Sequence, residues 1–170
     1  ARDVKKGIKK IHGSRDYFQV DYNDMILFEI IPVLKINRPK DTQNVTDLSY
    51  FHVSYVKKNL NTKLAREIVL AKSFAKAHNV YGAESYIQGL SGYAIECLII
   101  YYKSFKKMAK TISEAKEQII IDPKKWYKNK SDIELSVNES RLRSPIVLID
   151  PTWKERNVLA ALSNESFEKF

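Results

Sequence analysis

The hydrophobic period of the chain changes once, across a stretch that proline keeps out of regular structure. Upstream, Tyr17 to Tyr22 and Met25 to Leu34 are rich in β-branched and aromatic residues and meet at Asn23-Asp24, which predicts a β-hairpin with a tight turn. Pro32, Pro39 and the polar run Lys40 to Asp47 follow, and they mark the expected domain boundary. What precedes that boundary reads as half a domain. Before the hairpin, Val4, Ile8 and Ile11 recur three or four apart among lysines, the pattern of a short uncapped amphipathic helix ending near Gly13.

From Phe51 onward the period is helical. Leu64, Ile68 and Ala71 or Ala75 share one face of a helix expected to end near His78-Asn79. A second helix starts after Gly89 with Ser91 as N-cap and runs through Ile95, Leu98 and Ile99 to Tyr102, apolar enough to predict burial. A third, from about Ser104 to Glu117, carries Lys106, Lys107, Lys110 and Lys116 around Met108, Ala109 and Ile112, and is expected to be exposed. Gln118 to Ile121 and Pro145 to Ile149 are short β-type runs, each closed by an Asp-Pro pair, and they are candidates to pair. The polar residues Lys124 to Ser144 between them read as a long hairpin arm or a mobile loop, and Asn157 to Phe170 reads as helical. Both ends of the chain look cut.

Charge narrows the partners. The chain has 29 Lys+Arg against 20 Asp+Glu, a formal net charge of +9, which favours nucleic acid or a nucleotide. Charge alone equally fits a small domain kept in solution by its lysines. Apolar runs such as Met25 to Val33 and Ile146 to Ile149 fall far short of the roughly 20 residues that cross a bilayer. Ala1 to Lys6 leads into Gly7 and further lysine without an apolar region, so no signal peptide and no membrane partner are expected, and the location is expected to be cytoplasmic. Cys97 stands alone in an apolar stretch, which excludes an internal disulfide within this sequence and suits a small core residue.

Few residues carry chemistry on their own pattern. Glu29 interrupts the apolar strand between Phe28 and Ile30, where an ionised side chain is costly to bury. It reads either as a ligand to a hard cation such as magnesium or as a side chain that strand alternation turns to solvent, and the second is favoured. Three of the five glycines, Gly82, Gly89 and Gly92, fall in one short interval that leads into the second helix. Glycine admits a ligand close to the backbone and a helix N-terminus suits phosphate, although the interval fits neither a Walker nor a Rossmann spacing and reads equally as helix punctuation. His52, Lys72 and Tyr81 can converge on an anion, or serve as loop, surface and core residues. Lys124-Lys125-Trp126-Tyr127-Lys128 can bind phosphates and stack bases, or lie solvated in a loop. His12, His52 and His78 lack zinc-ligand spacing, and no nucleophile elbow occurs.

Taken together, Phe51-His52-Val53-Ser54-Tyr55-Val56, Val80-Tyr81-Gly82-Ala83-Glu84, Gly89-Leu90-Ser91-Gly92-Tyr93, and Ile149-Asp150-Pro151 with Arg156-Asn157-Val158 resemble archaeal-type CCA-adding tRNA nucleotidyltransferases in order and approximate spacing. Leu27-Phe28-Glu29-Ile30-Ile31-Pro32 resembles the strand that carries the family's third metal-binding carboxylate, so the likeness spans nearly the whole chain. The resemblance implies an α+β fold: the end of a polymerase-β-like nucleotidyltransferase head over residues 1–40, a helical neck over 41–117 and the start of an α/β body over 118–170. It implies that His52, Lys72 and Tyr81 lie around the triphosphate of the incoming nucleotide, that Arg156 reads its base, and that Glu29 is catalytic as a magnesium ligand where the family usually has Asp.

The same resemblance implies CTP, ATP and the tRNA 3′ end as partners, and magnesium as cofactor in a two-metal site. The Gly-Ser and Asp-x-Asp elements of that site are not found upstream of Glu29; Gly13-Ser14 lies too far downstream to be the former. The expectation is therefore part of a CCA-adding enzyme, inactive alone, whose carboxylate pair comes from a second chain carrying the first half of the head or from residues lost by truncation. The alternative is a non-catalytic RNA-binding module of the same descent. Leu90, Trp153 and Leu159 depart from the family's frequent Phe, Asp and Ala.

Overall fold

Runs of β-branched and aromatic residues build the first sheet. The computed structural model describes residues 8–12, 15–23 and 25–170, and the chain divides into two units, Ala1–Phe51 and His52–Phe170. In the first unit, β1 (Ile8–Ile11), β2 (Tyr17–Asn23) and β3 (Ile26–Ile30) form an antiparallel sheet in that order. The expected hairpin is present as β2 and β3, with a register shift between Asp21 and Asn23, while Asp24 of the expected turn lies outside the described residues. The helix expected over Val4 to Ile11 is not formed over residues 8–11, which are strand; Val4 and Gly13 lie outside the described residues. Ile8 pairs with Val20 and Ile11 with Tyr17, so cross-strand partners of high β-propensity override a weak helical period.

The polar stretch after the sheet is held by one carboxylate. Asp47 accepts from the backbone N–H groups of Leu34 at 2.8 Å, Gln43 at 3.2 Å and Asn44 at 3.0 Å, and pairs with the Arg15 guanidinium at 2.7 Å. Two short 3-10 turns, Pro39–Asp41 and Val45–Leu48, interrupt the stretch, the second opened by a reciprocal cap between Asn44 and Asp47.

In the second unit, helices pack through small and aliphatic faces. After α1 (Ser49–Asn59), α2 (Thr62–Ala77) begins with Asn61 capping Leu64 N and buries Leu64, Ile68, Ala71 and Ala75, the face read from the sequence. α3 (Gly92–Tyr102) starts where Ser91 accepts from Ala94 N, as expected, and buries most of its length. α4 (Phe105–Ser113) ends four residues before the expected Glu117 and buries only Met108 and Ile112. Among the described residues no helix is long and apolar enough to cross a membrane.

β4 (Ile119–Ile121) and β5 (Ile146–Asp150) do pair, and they pair in parallel. Parallel strands cannot be joined by a hairpin, so residues Lys124 to Ser144 form a crossover containing α5 (Lys130–Ser136), and neither a hairpin arm nor a structureless loop. β6 (Trp153–Asn157) returns antiparallel to β5. The helix expected over Asn157 to Phe170 is confined to α6 (Asn164–Glu168), because Asn157 closes the strand: its Oδ1 accepts from Leu148 N and Leu159 N, and its Nδ2 donates to Arg141 O and Ser144 Oγ.

The segment between α2 and α3 is folded by close backbone approach. Leu90 N donates to Val80 O, and Gly89 N donates to Gly82 O at 2.8 Å. A Cβ on Gly89 would stand 2.1 Å from Val80 O, an overlap with backbone that only a shift of the segment relieves. Gly89→Ala is therefore expected to cost roughly 2–3 kcal/mol, at the high end for single substitutions, read as a lower urea midpoint at unchanged slope. An unchanged midpoint would show that the segment yields freely.

Candidate functional site

The apolar run Ile146 to Ile149 ends in Asp150, a carboxylate with no exposed surface. An ionised carboxylate survives burial only with donors around it. Oδ1 accepts from Thr152 N and Thr152 Oγ1, each at 2.7 Å, and from the Tyr93 hydroxyl at 3.1 Å. Oδ2 lies 2.6 Å from Arg156 Nη1 and 3.2 Å from His52 Nε2, the ring nitrogen that donates when it faces an ionised carboxylate. Burial alone pushes the Asp150 carboxyl up, but the His52 hydrogen bond, the Arg156 charge and the Thr152 hydroxyl outweigh it and hold the group well below the carboxylate range.

The His52 ring stacks on Tyr93 with centroids 3.8 Å apart and planes 15° from parallel. Burial, and then the neighbouring Cys97 and Asp150, push the Tyr93 phenol far up, so it stays a hydrogen-bond donor. Tyr55, one turn along α1 from His52, is pushed up to about 12, chiefly by burial. The Cys97 thiol is also pushed up, first by burial, and remains a neutral core group.

A second cluster stands beside the first turn of α3. Lys72 on α2 donates to Glu96 on α3 at 2.6 Å, both side chains about a quarter exposed. A Cβ at Gly92, the first residue of α3, would lie 2.9 Å from Tyr81 Oη and 3.7 Å from Lys72 Nζ, so phenol and ammonium flank one point at the helix start. Lys76 lies over the Tyr81 ring at 5.0 Å from its centroid. Tyr93 is the next residue of α3, so the Lys72 and Tyr81 cluster and the His52 and Asp150 cluster both adjoin the first turn of that helix. A helix N-terminus with an ammonium, a phenol, an imidazole and a guanidinium nearby is chemistry suited to a polyanion.

The structure thus gathers His52, Lys72, Tyr81 and Arg156 around the start of α3, and adds three residues to which the sequence alone assigns no role there. In sequence, Asp150 reads as a turn-forming Asp-Pro residue, Tyr93 as part of a motif, and Glu96 has no distinguishing pattern. Asp150 does carry the signal that singles out Glu29, a carboxylate at an apolar strand.

Glu29 itself lies in the first unit, on β3, exposed, with Gln19 Nε2 donating to its Oε1 at 2.8 Å across the sheet. Strand residues Leu27, Phe28 and Ile30 on either side of it are exposed as well. A magnesium site needs several oxygen ligands. Among the described residues no three His, Cys, Asp or Glu side chains gather as a metal-binding group, so these residues do not complete such a site around Glu29.

Residues 66–170 match the family model described as tRNA nucleotidyltransferase, second domain. The chain is similar to the CCA-adding enzyme of Nanoarchaeum equitans, 46% identical over 158 residues that make up 93% of this chain and 40% of that protein. It is also similar to the CCA-adding enzymes of Thermococcus kodakarensis, 33% identical over 94% of this chain and 35% of that protein, and Pyrococcus abyssi, 35% identical over 84% and 32%. The chain spans about two fifths or less of the length of these curated relatives.

Replacing Asp150 tests the first cluster. Asp150→Asn leaves the Arg156 guanidinium without its counter-charge and is expected to cost about 3 kcal/mol near neutral pH. Because the folded carboxyl sits below its ordinary value of 3.8, its contribution is complete above that value and is lost as pH falls through the folded one. Urea melts should therefore show the gap between parent and variant narrowing below about pH 4. A gap that is constant from neutral to acid would exclude the charge pairing as its source.

Proposed function

The chain belongs to the tRNA nucleotidyltransferase family, and from that premise we propose that it forms the nucleotide-gripping and tRNA-facing part of a CCA-adding enzyme. In this reading, residues 1–40 end the head, 41–117 form the neck and 118–170 begin the body. The reaction is attack of a tRNA 3′-hydroxyl on the α-phosphate of CTP or ATP with release of pyrophosphate. The observation that supports it most is the meeting of Lys72 and Tyr81 at Gly92, while the next residue, Tyr93, bonds Asp150, the carboxylate that also holds His52 and Arg156.

Each residue has a task in that reaction. Lys72 exchanges Glu96 for a phosphate oxygen, and Tyr81 donates its phenol hydrogen to another, both at the positive end of α3. His52, fixed by stacking on Tyr93 and by its Nε2 contact with Asp150, lies beside the same triphosphate. Arg156, anchored on Asp150 through Nη1, has its remaining guanidinium donors for the edge of the incoming base. Glu29 is proposed as one magnesium ligand, with the paired carboxylates supplied from outside these residues, by a second polypeptide or by further parts of the same protein.

The test measures labelled CTP and ATP incorporation into tRNA lacking its CCA end. The chain alone is expected to add nothing; with a polypeptide carrying the first half of the head, magnesium-dependent addition should appear. Lys72→Ala should weaken triphosphate affinity by roughly tenfold or more, through loss of a charge-assisted hydrogen bond, and leave tRNA affinity nearly intact. Arg156→Ala should erode discrimination of CTP and ATP against GTP and UTP in the reconstituted enzyme. Robust addition by the isolated chain would sink the shared-site reading. No addition with a well-folded, associated complement would favour an RNA-binding module.

A further inference from the structure

The loop between β4 and α5 has a fixed shape that its composition does not explain. Asp122 holds it from inside: Oδ1 accepts from Lys124 N at 3.2 Å, Oδ2 from Tyr127 N at 2.9 Å, and Lys125 N donates to Asp122 O at 3.2 Å. Lys125 adopts φ +53°, a left-handed backbone that costs energy for a residue with a Cβ. The outcome is that Lys124, Lys125, Trp126 and Lys128 all face outward while Tyr127 turns in. Trp126 keeps 40% of its surface exposed, an aromatic held in solvent between lysines.

Two interactions place this loop beside the candidate site. The Tyr127 hydroxyl donates to Lys154 O at 2.9 Å, on β6 two residues before Arg156. Lys124 Nζ lies 5.6 Å from the ring centroid of Tyr55, one turn along α1 from His52. The exposed lysines 124, 125, 128 and 154 outnumber the neighbouring carboxylates Asp122, Asp132 and Glu155, the first two of which point their oxygens at backbone N–H groups of the loop. Lysines suit phosphates, and an indole between them suits the face of an unstacked base. A duplex offers phosphates but no free base face, so the combination selects an unpaired strand.

We propose that Lys124, Lys125, Trp126, Lys128 and Lys154 form a binding surface for single-stranded RNA, on which the unpaired 3′ strand lies as it approaches the site around the start of α3. The proposal rests on the function proposed above and adds the path by which the strand arrives. Trp126 stacks one base, and the lysines neutralise the phosphates on either side of it.

The probe is a short 5′-labelled single-stranded RNA, with its blunt duplex form as comparison and CTP binding measured in parallel. Trp126→Ala should weaken single-strand affinity by roughly tenfold, within the range for removing one stacking platform, and Trp126→Phe should retain most of it. The double variant Lys124→Ala/Lys125→Ala should lower the salt dependence by about 1.4 units of slope, roughly 0.7 for each phosphate of a single strand that its lysine no longer neutralises. In a Trp153→Phe chain, Trp126 fluorescence should be quenched by the single strand and not by the duplex. CTP affinity should stay unchanged in every loop variant, and Lys106→Ala/Lys107→Ala on α4 should leave the RNA slope closer to the parent's.

If CTP binds but the loop variants leave RNA affinity, salt slope and quenching at parental levels, the strip is wrong and the function proposed above stands. Losses equalled by the α4 variant reduce the effect to overall charge and also overturn the strip. If the parent chain binds neither CTP nor RNA, the function proposed above fails, and the strip with it.

Discussion

The second unit depends on the burial of one charge. Asp150 ends β5 with no surface exposed, and an uncompensated carboxylate there would cost several kcal/mol. Its donors come from α1, α3, β6 and the turn at Thr152, so satisfying this one group fixes where four parts of the chain meet. His52 gains a fixed ring orientation and Arg156 a fixed guanidinium as by-products of that constraint. The cations near the start of α3 are thereby partnered before any ligand arrives: Arg156 with Asp150 and Lys72 with Glu96. An incoming anion must compete with these carboxylates, and a group of several charges such as a triphosphate competes far better than a monoanion.

The start of α3 is positioned by backbone rather than by side chains. Val80 and Leu90 bond directly, Tyr81 and Leu90 form a parallel bridge, and Gly89 sits against Val80 O with no room for a Cβ. Gly82 takes φ +132°, open to glycine and strained for other residues. This backbone pairing delivers Gly92 to the Tyr81 phenol and the Lys72 ammonium. Glycine is needed here for closeness, which is the same property that lets a ligand approach the helix start.

Much of the helical part is legible in the sequence because its signals are local. The Ser91 cap, the Leu64, Ile68, Ala71 and Ala75 face and the end of α2 at His78 each follow from residues within a few positions of one another. Sequence and structure part where distant partners decide. Ile8 to Ile11 carries a helical spacing yet is strand, because β2 offers it Val20 and Tyr17. Lys124 to Ser144 has no visible period, yet it must contain a crossover once β4 and β5 run parallel. Trp153 to Asn157 is an edge strand with Lys154 and Glu155 exposed at its centre, charges of the kind that keep an unpaired edge from pairing further.

An apolar strand cannot enclose an unpaired carboxylate, and the residue on which this constraint acts is Asp150 rather than Glu29. Glu29 is exposed and Asp150 is buried, although the two stand in similar sequence surroundings, each next to isoleucine and near proline. By itself the sequence determined the periods, the caps, the glycines that allow close approach and the cationic balance, since all of these are set by residue type and neighbours in the chain. Only the tertiary structure decided which carboxylate is enclosed and which side chains meet on it. His52 and Asp150 are 98 positions apart and Lys72 and Glu96 are 24 apart, and no local preference encodes a pairing that exists only after the chain has closed on itself.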